Sequence, residues 1–475
     1  MECRSWCKLD ELKERIEKRT KRKENMITKE QTMTKEQIIS DSKEFSLFSW
    51  SAQGSVNPIA IERAEGVYLY DYDGNRIIDF SSGLMSVNIG HGDQRVTDAV
   101  VEQMQKVSFV TPTCTTEIRA KLARKLAEIC PGNLNKAFFT LCGTSSVDNA
   151  IKLARLYTGR HKIIGRYRAF HGGSIGGMSV GGDPRKLAND SQQMTNAVLL
   201  DDPYYFFGMK DLDEATKLSL SLEYVERVIH FEGKTNIAAF IFEGESGSSG
   251  CLHYPKGYLK GIKALCEKYD ILFIADEVMS GFGRTGKWFG FENHDIVPDM
   301  VCMAKGLTSS YLPLGCLMVT DKIAAKFETT PMMIGLTYNA HPVAMAAALA
   351  VINIYESDNL IENTREMSAY LESRIEAMRS QHPSMGAFRN TGLLGCLDIL
   401  KNKTTGELIA PYNAAGDDLK VTNQIAGKVR ELGLYTFVRW GYIFIAPPLC
   451  ITKDQIDEGL AIISEALKIS DAALV

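Results

Sequence analysis

The chain has no unbroken apolar stretch of about 18 residues, so no membrane-spanning helix is expected. It has no surplus of either charge. Lys and Arg number 54 and Asp and Glu 58, a formal net charge of −4. That balance points away from nucleic acid and from an anionic membrane surface as partners. It has no CxxC pair among its eleven cysteines, and no metal site is expected. Cys302, Cys316 and Cys396 sit within apolar runs, where a thiol behaves as a small hydrophobe. The start shows no signal-peptide pattern, so the cysteines read as reduced thiols of a cytoplasmic protein. Two nucleotide motifs are incomplete. The tract Gly172–Gly182 lacks GxGxxG spacing before a long helix. Gly281-Phe282-Gly283-Arg284-Thr285-Gly286-Lys287 matches GxxxxGK, but Trp288 stands where a magnesium-binding hydroxyl is required.

What is present fits a large soluble globular protein. At 475 residues, 45% hydrophobic and 24% charged, the chain can bury a substantial core in two domains. Residues 1–40 form a charged N-terminal extension. Lys8 to Lys29 is dense in both charge signs and reads as an exposed helix or a disordered tail. Residues 41–85 join the smaller domain, and Asp73-Gly74-Asn75 marks a hairpin turn between two extended stretches. Over 86–341, short apolar runs alternate with amphipathic segments. The runs are Ala137–Leu141, Lys162–Ile164, Ala197–Leu200, Ala238–Phe242, Ile271–Ala275, Met300–Met303 and Leu314–Val319. This alternation predicts an α/β domain with a mostly parallel sheet covered on both faces. Residues 342–475 turn helical and form a smaller domain. There Ile456, Leu460, Ile463 and Leu467 mark the buried stripe of a last helix.

One constellation carries chemistry. The run Ile271–Ala275 ends in Asp276, and the run Met300–Met303 is followed by Lys305. In open α/β sheets, ligands sit beyond the carboxyl ends of the strands. A strand-end acid and a strand-end lysine together suit pyridoxal phosphate (PLP). The lysine condenses with the cofactor aldehyde, and the acid keeps the pyridine nitrogen protonated. Other residues fit around this pair. Cys142-Gly143-Thr144-Ser145 opens a helix and presents free N–H groups to a phosphate, or is a plain cap. Phe170-His171 offers a ring to stack on a flat cofactor, or packs beside a turn. Thr337 supplies a hydroxyl or caps the helix after Pro342. Arg439, between apolar stretches, meets a substrate acid or makes a structural salt bridge.

Taken together, Gly143-Thr144, Phe170-His171, Glu243, Asp276-Glu277-Val278, Lys305-Gly306, Thr337, His341-Pro342 and Arg439 resemble the class III, or ω-, aminotransferases. The tract ADEVxxGFGRTG followed by AKG is highly specific to that group, and the resemblance covers roughly residues 45–470. It implies PLP fold type I: an α/β large domain whose mostly parallel seven-stranded sheet lies between helices, plus a smaller α+β domain. By position, Lys305 looks like the cofactor-bound lysine and Asp276 like the pyridinium partner. Val278 and Phe170 would flank the ring, with His171 beside them. Gly143 and Thr144 would hold the phosphate, with Thr337 coming from the neighbouring subunit of a homodimer with shared sites. Glu243 would gate the substrate arginine, Arg439, while Phe48 and Trp50 would wall the substrate pocket. Two positions depart from the family pattern: Ser145 replaces a usual Glu, and Gly244 replaces the Pro of a usual Glu-Pro.

The implied activity moves an amino group from a small ω-amino acid or amine to 2-oxoglutarate or pyruvate, in ping-pong fashion. The opening Phe48–Gln53 and the tract Asp276–Gly290 look most like the branch that deaminates taurine or β-alanine-like substrates. The competing readings are a same-fold aminomutase, racemase or decarboxylase, and a non-catalytic binding protein of the same fold.

Overall fold

The structure, a computed structural model, describes residues 33–475 except 205–207 and 210. Much of the expected charged extension, including Lys8 to Lys29, lies outside the described residues. Contacts divide the chain into two units, residues 33–62 with Asp71–Gly74, and Arg63–Tyr70 with Asn75–Val475. The expected boundary at 341/342 falls inside the larger unit.

The smaller unit contains helix α1 (Lys35–Phe45). Thr34 and Gln37 start it with a reciprocal capping box, each side chain bonding the other's backbone N–H. Phe48 and Trp50 follow it in the same unit.

The larger unit holds two sheets and most of a third. A small one orders β1 (Ile61–Glu65), β2 (Tyr68–Asp71), β3 (Arg76–Asp79) and, parallel to β3, the late strand Leu434–Tyr435. The main sheet comprises β4 (Leu134–Thr140), β5 (Lys162–Arg166), β6 (Ala197–Leu200), β7 (Ile237–Glu243), β8 (Leu272–Asp276), β9 (Met300–Met303) and β10 (Gly315–Thr320). Its order is β4-β10-β9-β8-β7-β5-β6. Strands β9, β8, β7, β5 and β6 are mutually parallel, and only β10 runs against its neighbours. All seven expected runs are strands.

The sheet is apolar on both faces because helices cover both. On β8, Phe273 and Ala275 enter one core, while Leu272 and Ile274 enter the other. Helix α2 (Gly143–Thr158) covers the second face with Val147, Ala150, Ile151 and Ala154, packed with Met300, Cys302 and Leu317. Gly159 ends it in the left-handed conformation, φ 70°, which glycine adopts without a Cβ clash. The other core takes in α3 (Glu214–Glu232), α4 (Tyr258–Lys268) and α5 (Pro342–Ser357).

The third sheet is antiparallel. It orders β11 (Met385–Thr391), β12 (Leu394–Asn402), Tyr442–Ile445 and Val438–Arg439. Helix α6 (Leu360–Met378) and the last helix, α7 (Lys453–Asp471), accompany it, which is the expected α+β character. Ile456, Leu460, Ile463 and Leu467 are buried as the periodicity predicts.

Candidate active site

Parallel register brings the key side chains together. Glu243 on β7 lies beside Asp276 on β8, and Asp276 lies beside Cys302 on β9. Lys305 follows β9 after one residue of turn. Its backbone is left-handed, φ 46°, and the next residue must be small. A Cβ on Gly306 would stand 2.5 Å from Asn88 Nδ2.

A cavity of about 380 Å³ opens at these strand ends. Gly143, Thr144, Phe170, His171, Glu243, Asp276, Val278 and Lys305 all line it. Its size suits a cofactor, since ligand pockets span roughly 300–1,000 Å³. The N-terminus of α2 supplies N–H groups and the positive end of its dipole. Close approach of the backbone is built in: a Cβ at Gly143 would stand 2.7 Å from Val278, and one at Gly172 would stand 2.5 Å from the Thr144 hydroxyl.

Asp276 is held from two sides. Its Oδ2 lies 2.7 Å from His171 Nδ1, and its Oδ1 accepts the Val278 N–H at 3.1 Å. The other imidazole nitrogen, His171 Nε2, is buried without a partner. Burial pulls the Lys305 amine down to about 8, with the Asp276 carboxylate opposing it. A lysine so placed gives up its proton at lower pH than an ordinary lysine.

The two departures from the family pattern have local explanations. The Ser145 hydroxyl accepts the N–H groups of Leu141 and Cys142, both at 3.0 Å, and so caps α2. A Cβ at position 244 would stand 1.8 Å from Glu277 Oε1. Glu277 is fully buried and accepts from Gly290 N, Phe291 N and Ser280 Oγ, each at 2.8 Å. Burial pushes its carboxyl up to about 8 despite those donors.

The Walker-like tract is structural. Lys287 Nζ donates to the Glu292 carbonyl at 2.8 Å. The Arg284 guanidinium is fully buried and donates to Leu393 O, Pro447 O, Ser82 Oγ and Asn88 Oδ1. Among the described residues its hydrogen-bond partners include no carboxylate, and burial pulls it down to about 10.

Glu243 and Arg439 are not brought together. Glu243 Oε2 instead accepts from Arg166 Nη2 at 2.8 Å, and its Oε1 accepts from Phe170 N at 3.3 Å. Arg166, at the end of β5, also bonds Asp202, Ser246 Oγ (2.8 Å) and the Tyr254 hydroxyl (3.2 Å). Burial works against its charge, but Tyr254, Asp202 and Glu243 outweigh it and push its pKa up. Burial raises the Glu243 carboxyl above the usual range, more than Arg166 lowers it. Arg439 pairs with Asp183 at 3.4 Å and lies over the Trp440 ring at 3.8 Å.

Thr337 is exposed and does not line this cavity. Phe48 and Trp50 belong to the smaller unit. The sequence reading passed over Arg166, Asp183 and Arg185. Arg166 had a signal: it is the charged end of a strand with an apolar middle, next to the strand that ends in Glu243.

The class III aminotransferase family model matches residues 50–467. The chain belongs to the class III aminotransferases. The putrescine–pyruvate aminotransferase of Pseudomonas aeruginosa is 33% identical over 425 residues, 87% of this chain and 91% of that one. A mitochondrial gamma-aminobutyrate transaminase of Oryza sativa is 32% identical over 434 residues, 88% of this chain and 82% of that one. Among solved structures, the taurine:2-oxoglutarate aminotransferase of Bifidobacterium kashiwanohense, in complex with PLP and glutamate, superimposes with a TM-score of 0.90. It is 37% identical, covering 94% of this chain and all of that one. The fold is PLP fold type I, and this aminotransferase uses pyridoxal 5′-phosphate with an amine donor and a 2-oxo acid acceptor. The cavity and the N-terminus of α2 fit that cofactor.

Proposed function

We propose that this aminotransferase takes its amino group from a small ω-amino acid with an acidic tail, taurine or β-alanine, and passes it to 2-oxoglutarate or pyruvate. The observation that carries the reading is the meeting of Asp276 and Lys305 in one cavity with Gly143, Thr144 and Phe170. When bound, the cofactor supplies an electron sink for the bond that breaks at the substrate carbon.

The protein's part is binding, orientation and proton transfer. Lys305 binds the cofactor between turnovers. Released from it, the amine takes a proton from the substrate carbon and returns it one position away. Asp276 keeps the pyridine nitrogen protonated, and His171 fixes the orientation of that carboxylate. Gly143 and Thr144 hold the phosphate, with a further hydroxyl from Thr337 of a second copy in a homodimer. Phe170 and Val278 flank the ring.

Arg439 binds the acid group. Its half-exposed guanidinium favours this role, as do relatives named for taurine and gamma-aminobutyrate. We place the enzyme in the cytoplasm. The nine cysteines among the described residues are all free, which suits a reducing compartment. No described helix is long and apolar enough to cross a membrane.

The test is a donor panel of taurine, β-alanine, gamma-aminobutyrate and putrescine, followed through the cofactor's absorbance in the absence of acceptor. Taurine or β-alanine converts the cofactor to its amine form fastest. Conversion by putrescine alone overturns the acid-tail reading.

A further inference from the structure

Asp183 begins the 3-10 segment Pro184–Gln192, and its carboxylate is almost wholly buried, 3% exposed. Its Oδ1 accepts from Arg185 Nε at 2.7 Å and its Oδ2 from Arg185 Nη2 at 3.1 Å. The same Oδ2 accepts from Arg439 Nη1 at 3.4 Å. The Arg185 guanidinium lies 3.6 Å from the centroid of the Phe170 ring, and Phe170 lines the cavity. A charged chain therefore runs from the cavity wall through Arg185 and Asp183 to Arg439. One carboxylate serves two guanidiniums, so the trio keeps a net single positive charge.

The two contacts are unequal. Arg185 is held at two points and close. Arg439 is held at one point, beyond the roughly 2.7–2.9 Å of a strong charge-assisted bond, and its side chain is 32% exposed. Glu243 is committed elsewhere, with Oε2 on Arg166 and Oε1 on the Phe170 N–H.

We propose that Asp183, not Glu243, is the counter-ion of Arg439, holding the guanidinium when the bound partner lacks an acid there and yielding it when an acid group arrives. This rests on the reading of Arg439 as the substrate's acid-binding cation. The exchange is cheap because Asp183 keeps Arg185 after it yields, so no buried carboxylate is left unpaired. The incoming acid gains a planar guanidinium that it can engage at two points. Asp183 is a positioning residue: it sets how open Arg439 is to an acid.

The test compares Asp183→Asn and Asp183→Ser with wild type as holoenzymes. Both residues retain an acceptor for the cap at Arg185 N, so the local turn is kept. The probes are KM for the 2-oxo acid, Kd for the unreactive carboxylates glutarate and propionate by calorimetry, and kcat/KM for an uncharged amine. Removing the competing anion tightens acid binding roughly three- to tenfold, while the uncharged amine gains nothing. In an Arg439→Ala background the same substitutions change acid binding by less than about twofold. Weaker or unchanged acid binding in both variants overturns the proposal. If Arg439→Ala alone weakens acid binding while the Asp183 variants do not change it, only the counter-ion role fails. If Arg439→Ala leaves acid binding intact, the acid-site reading falls, and the role of Asp183 with it.

Discussion

Replacing Arg166 by Met removes the cation that pairs with both Glu243 and Asp202. Both carboxylates stay where the fold holds them, Glu243 at 6% exposure. Breaking a buried pair from one side costs about 3–5 kcal/mol, because the other charge is left uncompensated. Unfolding entropy of about 2.1 cal/mol/K per residue makes this a fall in Tm of roughly 3–5 °C for a chain this long. The pH dependence gives the sharper test. The Glu243 carboxyl is already raised in the folded state by burial, against the pull of Arg166. A raised carboxyl costs no stability below its unfolded pKa. The cost appears as pH rises through the ordinary glutamate range and grows up to the folded pKa. Without Arg166 the folded pKa rises further. The stability gap between Arg166→Met and wild type is therefore smallest in acid and widens towards neutral pH. Thermal unfolding followed by circular dichroism from pH 4 to pH 8 measures it. Adding Glu243→Gln recovers part of the loss at neutral pH, since a neutral amide has no charge to strand. A gap that does not change with pH, or a Tm change under about one degree, refutes the reasoning.

Four further outcomes follow from the site. Borohydride reduction of the holoenzyme and peptide mapping place the pyridoxyl group on Lys305; a label on any other lysine refutes the assignment. In cofactor-free enzyme, the rate of PLP uptake rises with pH and levels off above about 8, because the neutral amine reacts and burial brings Lys305 to that value; a plateau that begins only near the ordinary lysine range contradicts it. Asp276→Asn folds normally but loses turnover by roughly two orders of magnitude or more, since each pKa unit lost from the ring nitrogen is worth about 1.4 kcal/mol; near-wild-type turnover assigns the role elsewhere. Mixed dimers of Lys305→Ala with Thr337→Ala regain activity that neither parent has; failure to complement, with subunit exchange demonstrated, argues for self-contained sites.

The strands were legible because each is a short apolar run buried on both faces, as in Ile271–Ala275. The strand-end chemistry of Asp276 and Lys305 was legible for the same reason, since register carries the ends to one edge. Pairings made across loops were not. Asp183 meets Arg439 although 256 positions separate them, and no local pattern marks either as the other's partner. Glu243 was read towards Arg439 on family grounds, but β5 puts Arg166 next to it. The Gly244 departure made sense only once Glu277 was seen to need that space.

Arg284 has a consequence for the whole site. Four neutral acceptors take the hydrogen bonds of its two Nη atoms, while its Nε is buried without a partner, so its charge is solvated by dipoles and cancelled by none of them. In a poorly polarisable interior such a charge reaches far. It is one of the cations that disfavour a proton on Lys305. The same field attracts a dianion. The arginine of GFGRTG thus acts at a distance, as one of several charges that add to burial in lowering the Lys305 amine.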